Sequence, residues 1–356
     1  MEETSSTKTY KPIKYIVEFL FSSYICIQLQ KKAKIMSNLN YPLKFKPILK
    51  EKIWGGHRLS DMLNKEIGSL PNAGESWEIS AVDGNISMVT NGCFAGISID
   101  ELLRQEREKL IGQKNYEMFG NNFTLVIKFI DAADKLSIQV HPNNEVAKRR
   151  HNASGKSEVW YVINADDNSE LISGFSKPIS YEEYKELLDR GAFAEVLNRV
   201  RVQRGDMFFI PAGRIHGICK DTMVAEIQQT SDITYRVYDY KRKDSNGKER
   251  QLHVEEAAEA LNFNDTDNGK FNYSLKPNEC VKTVSCPYFK TGVTLVRGET
   301  KRDYSELDSF VILIGVRGNT IVNGVELKYG ETMLIPASLK AVDIIATDAE
   351  ILEVYI

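Results

Sequence analysis

Arg204-Gly205-Asp206-Met207-Phe208-Phe209-Ile210-Pro211-Ala212 and Tyr329-Gly330-Glu331-Thr332-Met333-Leu334-Ile335-Pro336-Ala337 carry one pattern twice: a Gly-acid turn, an apolar strand, then Pro-Ala. A repeated unit of this kind points to two copies of a small antiparallel barrel or jelly roll, each closed at one end by the proline. The copies differ just beyond the repeat. The first continues Gly213-Arg214-Ile215-His216 and the second Ser338-Leu339-Lys340, and no histidine follows His253. A metal, if bound, belongs to the first barrel.

Outward from these motifs, the chain from Tyr41 onward consists of short β-rich runs separated by Gly, Asn, Asp and Pro. Strands are expected at 43–48, 76–81, 86–90, 123–131, 136–141, 158–164, 170–173, 208–210, 215–219, 222–229 and 234–238, and in the second copy at 310–316, 320–322, 332–335 and 341–346. Helices are expected at 98–111 and 253–261, with a helical insert at 180–190 and 192–197 that opens on a Ser-Tyr-Glu-Glu capping pattern. The polar stretch 241–251 reads as a surface loop.

Composition bounds the function. Of 356 residues, 42% are hydrophobic and 27% charged, the balance of a folded globular chain, which excludes general disorder and a polytopic membrane protein. Lys plus Arg number 46 against 49 Asp plus Glu, for a net charge of -3, which argues against broad affinity for nucleic acid. Five cysteines without a CxxC pair make neither a disulfide framework nor an all-cysteine zinc site, and a reducing cytoplasm is the expected compartment. The run Tyr15–Leu29 contains Glu18 and is too short to span a bilayer, and no small-residue cleavage site follows it. Residues 1–36 are therefore expected to be an atypical leader, disordered or a misassigned start, with no stable membrane association. A catalytic domain with the helical insert is expected at 37–265 and a metal-free β domain at 266–356. Oligomeric state is not legible.

The chemistry concentrates in three strands. Ser137, Gln139 and His141 alternate with Ile138 and Val140, so all three lie on one strand face. Glu158 opens an apolar strand, and His216 follows Pro211-Ala212-Gly213. Imidazole and carboxylate completed by an amide oxygen and water suit a divalent first-row ion, although the same alternation would serve an exposed sheet face or buried histidines. Lys128, alone among apolar residues in FTLVIKFID, is costly to bury without an anion, which a ligand or a neighbouring acid would supply. His57 and His151 read as surface histidines, and Trp54, Trp77 and Trp160 as core or pocket walls.

LSIQVHP at 136–142, GKSEVWYV at 155–162, PAGRIHGI at 211–218 and QQTSDITYRVYD at 228–239, with KPILKEKIWGGHRL at 46–59 and GESWEIS at 74–80, resemble the type I mannose-6-phosphate isomerases of the short bacterial form. The resemblance runs from about Tyr41 to the C-terminus. It implies a double cupin, one Zn2+ per chain bound by Gln139, His141, Glu158 and His216, and a small phosphorylated sugar as substrate. The implied reaction interconverts mannose 6-phosphate and fructose 6-phosphate through a cis-enediol. Arg236 matches the family's active-site arginine, Lys156 its lysine near the sugar, and Lys128 and Ser137 positions at the phosphate end. Glu226 is a candidate general base or a partner of Arg236, and the group that takes the C2 proton stays open among Glu226, Lys156 and a zinc-bound water. The competing readings are the isomerase portion of a bifunctional sugar-nucleotide protein, disfavoured by the lack of a Gly-rich nucleotide loop, and a catalytically silent, sugar-phosphate-binding regulatory cupin.

Overall fold

In a computed structural model, which describes residues 39–243 and 246–356, three large antiparallel sheets and a two-stranded one, Ala81–Val82 with Asn85–Ile86, carry the chain; the expected leader lies outside the described residues. The first sheet runs in the order Ile48–Gly56, Ala73–Ile79, Leu125–Ala132, Thr222–Gln229, Glu158–Ala165, Met207–Ile210, Lys270–Phe271. Its central strands, Leu125–Ala132 and Thr222–Gln229, are buried at every position, the first mostly apolar and the second with Thr222, Glu226, Gln228 and Gln229 buried as well. A second sheet is ordered Tyr235–Tyr238, Ile138–Val140, His216–Ile218, Glu170–Phe175, Leu197–Arg201. The two share a core that includes Ile130, Trp160, Val162, Phe208, Ile210 and Val224.

The helical insert decides which way the second sheet faces. Ile138, Val140, Ile172, Ile215 and Val237 pack outward against Tyr184, Leu187 and Phe193 of the insert and against Ala257. The helices Tyr181–Asp189 and Val254–Ala260 thus cover the apolar face of the sheet. Period-two alternation then turns the residues between them, among them Gln139 and His216, toward the first sheet.

The third sheet is ordered Cys280–Ser285, Lys290–Asp303, Ala341–Tyr355, Val311–Arg317, Thr332–Ile335, with the hairpin Thr320–Val322 and Val325–Leu327 beside it. Three of these strands, Cys280–Ser285, Lys290–Asp303 and Val325–Leu327, were not anticipated. Gly292 and the charged outer half Arg297–Asp303 mask the second as a loop, and pairing along nearly the whole of Ala341–Tyr355 holds it extended. The expected helix at 98–111 is two helices, Ile99–Glu106 and Glu108–Ile111, broken where Arg107 takes φ 51°. The expected strand at 43–48 is only bridged at Leu43 and Phe45, and continuous pairing begins at Ile48. Among the described residues no helix is long and apolar enough to cross a membrane.

The sequence repeat is a structural repeat. Gly205 and Gly330 both take positive φ, 90° and 80°, where a side chain would be strained. Asp206 accepts from the Gln203 amide at 3.0 Å as Glu331 does from Lys328 at 2.9 Å, and the Arg214 amide reaches the Pro211 carbonyl as Leu339 reaches Pro336. The registers Ile210↔Glu158 and Ile335↔Val311 put Val311 in the topological place of Glu158, and Glu226↔Trp160 with Leu313↔Glu353 equate Glu226 with Glu353. The fold is a double cupin, mainly β, whose second barrel has an apolar residue where the first has a carboxylate. Its Glu353 is absorbed instead by Thr294 at 2.6 Å, Arg302 at 2.9 Å and Tyr304 at 3.0 Å. Glu353→Gln weakens these charge-assisted bonds, and urea unfolding of the variant is expected to give a loss of about 2 kcal/mol.

Candidate active site

Register across the two facing sheets assembles the site. In the second sheet one rung reads Arg236–Gln139–His216–Ser173, each residue directly paired with the next. In the first sheet the opposing rung reads Trp77–Lys128–Glu226–Trp160–Phe208. His141 and Ser137 flank Gln139, and Glu158 flanks Trp160, each two residues away and so on the same face.

His141, Glu158 and His216 converge. His141 Nε2 lies 3.4 Å from one Glu158 oxygen and His216 Nε2 3.5 Å from the other, while the two Nε2 atoms are 3.2 Å apart. His141 Nδ1 faces the Ile233 carbonyl at 2.8 Å and His216 Nδ1 the Arg214 carbonyl at 2.9 Å. A carbonyl only accepts, so each Nδ1 carries the proton and each Nε2 offers a bare lone pair. Two lone pairs at 3.2 Å, beside a buried Glu158 oxygen without a hydrogen-bond partner, form a donor set that fits a divalent cation. Gln139 is adjacent, but its amide nitrogen faces His216 at 3.4 Å while its oxygen accepts from Ser137 at 3.2 Å. A half-turn of the amide would exchange the two atoms. Lys156, just ahead of the strand, donates to His141 Nε2 at 3.0 Å and pairs with Glu158. Gly155 lets it approach, since a Cβ there would come within 2.6 Å of the 143–144 backbone.

Burial, reinforced by Lys156, pulls the His141 pKa down to about 4, and burial lowers that of His216 although Glu158 opposes it. Burial would raise Glu158, but the Lys156 ammonium outweighs it and holds the carboxylate ionised. Since burial holds both histidines neutral when folded and they titrate near 6.5 when unfolded, the unfolded chain binds more protons below that pH. Metal-free protein is therefore expected to lose stability as pH falls below about 6.5, His141 contributing down to about 4, by up to roughly 1.4 kcal/mol per pH unit for each imidazole still neutral, measurable by denaturation at stepped pH.

Above the triad opens a cavity of about 450 Å³ bordered by Trp54, Trp77, Lys128, Gln139, Lys156 and Arg236, among others. Charges alternate along its first-sheet wall. Glu158 pairs with Lys156, Lys156 stands 3.9 Å from Glu226, Glu226 3.1 Å from Lys128, and at the far end Glu75 is 3.3 Å from Lys52. Burial favours neutral Lys128, but Glu226 and Glu75 raise its pKa above the ordinary value. Its ammonium also sits 4.5 Å above the Trp77 ring. Trp160 donates to Glu226 at 3.1 Å and Trp77 to Glu75 at 2.7 Å. The cations beside Glu226 are thus Lys128 and Lys156, whereas the guanidinium of Arg236 donates to the Gln251 carbonyl at 2.8 Å.

All nine residues singled out in the sequence lie at the triad or on the cavity wall. Sequence reasoning did not single out Glu75, Lys50, Lys52 or Arg250, which also line the cavity. Glu75 stands in the GESWEIS motif and carried a signal, but Arg250 sits in the polar run 241–251, indistinguishable there from solvated charge. His57 is exposed as expected. His151 ends an unanticipated helix, Asn144–His151, and contacts the Tyr235 hydroxyl at 2.8 Å.

A double cupin with a buried His/Glu/His constellation beside a cationic cavity, the one such cluster among the described residues, defines a class of β-barrel proteins with a single candidate site. Comparison with known proteins narrows it. The family model for phosphomannose isomerase type I, catalytic domain, matches residues 43–171. The chain is 36% identical over 308 residues to the mannose-6-phosphate isomerase of Streptococcus mutans, covering 84% of this chain and 94% of that one. It is 35% identical over 305 residues to the mannose-6-phosphate isomerase of Bacillus subtilis, with the same coverage. A crystal structure of the mannose 6-phosphate isomerase from Bacillus subtilis superposes with a TM-score of 0.80 at 31% identity, covering 88% of this chain and 99% of that chain. The chain belongs to the type I mannose-6-phosphate isomerase family.

Proposed function

We propose that this chain is a zinc-dependent aldose-ketose isomerase that interconverts mannose 6-phosphate and fructose 6-phosphate through a cis-enediol. The observation that carries the reading is the convergence of two bare imidazole nitrogens and an orphaned carboxylate oxygen directly behind Gln139 and Lys156, which line a cavity that also holds Lys128 and Arg236. Gln139, His141, Glu158 and His216 would hold one zinc per chain, which supplies Lewis-acid polarisation of the sugar oxygens and offsets the charge of an enediolate.

The side chains supply the rest. Moving a hydrogen between C2 and C1 requires a base at the carbon, an exchange of hydroxyl protons and a cation for the oxygen that becomes negative. Arg236 brings a permanently charged planar fork to the cavity wall opposite Glu226. Glu226 and Lys156, 3.9 Å apart, are joined for proton transfer only through a bridging water, and Lys156 can take the C2 proton only after giving up its own, whereas the Glu226 carboxylate can take it directly. Lys128 and Ser137 bind the phosphorylated sugar, while Trp54, Trp77 and Trp160 exclude water and strengthen every charge interaction inside.

A coupled assay with mannose 6-phosphate, with metal content measured on the same sample, tests the reading; the expected result is turnover by protein that carries one divalent ion per chain. Within that assay Lys128→Gln is expected to raise KM for mannose 6-phosphate about tenfold with kcat changed only a few-fold. An equal loss on unphosphorylated mannose would remove Lys128 from the phosphate.

A further inference from the structure

Arg236 lies on the edge strand Tyr235–Tyr238, paired on one side with Gln139 and, among the described residues, without a strand neighbour on the other. The register also shifts just after it, between Arg236 and Tyr238. An edge residue at a bulge is poorly held by its own sheet. One residue outside the cavity wall makes up the difference. The Arg236 amide donates to His253 Nδ1 at 3.2 Å, and the Arg236 carbonyl accepts from the His253 amide at 2.7 Å. The imidazole thus stands where a partner strand's carbonyl would. Because a backbone amide only donates, Nδ1 is the bare nitrogen and the ring is neutral.

His253 is itself anchored. It immediately precedes the helix Val254–Ala260, whose Val254, Ala257 and Ala258 pack into the core that also contains Tyr235 and Val237. Two residues earlier, Gln251 offers the carbonyl that receives the Arg236 guanidinium at 2.8 Å. Backbone and side chain of the arginine are therefore both clasped by the returning segment 251–253, while the buried Nε of Arg236 has no hydrogen-bond partner among the described residues.

We infer that His253 is a positioning residue for Arg236: its imidazole completes the edge strand and sets where the guanidinium meets the developing oxyanion. The inference rests on the role given to Arg236 above. A displacement of about 1 Å at such a group costs on the order of a hundredfold in rate, so the effect falls on kcat.

His253→Ala is expected to lower kcat about ten- to a hundredfold with KM within about threefold and metal content unchanged. His253→Asn, whose Oδ1 takes the place of Nδ1, restores kcat to within a few-fold of the parent, whereas His253→Gln, whose polar atoms reach the place of Nε2, does not. The Asn and Gln variants carry the test if the alanine variant fails to fold. Against an Arg236→Ala background, the residual turnover is expected to be insensitive to His253→Ala, the signature of coupled residues. Equal kcat for the Asn and Gln variants, or a full additional loss in the double variant, overturns the inference while leaving Arg236 in its role. An Arg236→Ala enzyme of unchanged kcat removes that role and the inference with it.

Discussion

Chelation of a divalent ion is expected to lower turnover of mannose 6-phosphate by more than about a hundredfold, and one equivalent of zinc to restore it. The magnitude follows from what is left behind. In the metal-free site two imidazole lone pairs oppose each other at 3.2 Å, and the compensating charge is the single ammonium of Lys156, 3.0 Å from His141. That ammonium is committed to His141 and Glu158, so it cannot also neutralise two substrate oxygens. His216→Ala should give the same loss without rescue, because it removes one imidazole from the donor set while the Arg214 carbonyl it used can find water. Full turnover in protein shown by elemental analysis to be metal-free would take the ion out of the mechanism and leave Arg236 and the lysines to do the work alone.

The second large effect is at Arg236. Its replacement by alanine is expected to reduce kcat by about 10² to 10³, the range seen when one preorganised oxyanion donor is removed. Folding should change little. The guanidinium makes one hydrogen bond, to the Gln251 carbonyl, and takes part in no ion pair among the described residues. A thermal melt beside the kinetics separates the two: a large kcat loss with a nearly unchanged midpoint is the expected pair of results. Arg236→Lys should recover only part of the rate, since an ammonium lacks the planar fork. A melt that drops in step with kcat would recast the arginine as a structural residue.

These effects were legible in the sequence to unequal depth. Strand alternation alone put Ser137, Gln139 and His141 on one face, and the cost of burying Lys128 alone predicted an anion beside it; the anion found is Glu226, with Glu75 close behind. The two Gly-acid-strand-Pro-Ala segments do form equivalent turns with matching amide contacts. The helix Asn144–His151 escaped notice because only Val146 and Ala147 are buried, so its sequence shows no apolar face. The long strand Lys290–Asp303 escaped because its outer half is charged and exposed, and only its partner Ala341–Tyr355 holds it extended.

By itself, then, the amino-acid order determined two barrels, one set of metal-type ligands and the strand faces that carry them, because turn chemistry and side-chain alternation are properties of a few consecutive residues. Tertiary structure alone decided which face of the second sheet looks inward, through the helices that cover the other. It also brought Gln139 and His216, 77 positions apart, onto one rung with Arg236, gave Glu226 to two lysines, and set His253 against the edge strand. Register between distant strands is settled by packing across the whole core, and no local stretch of sequence contains it.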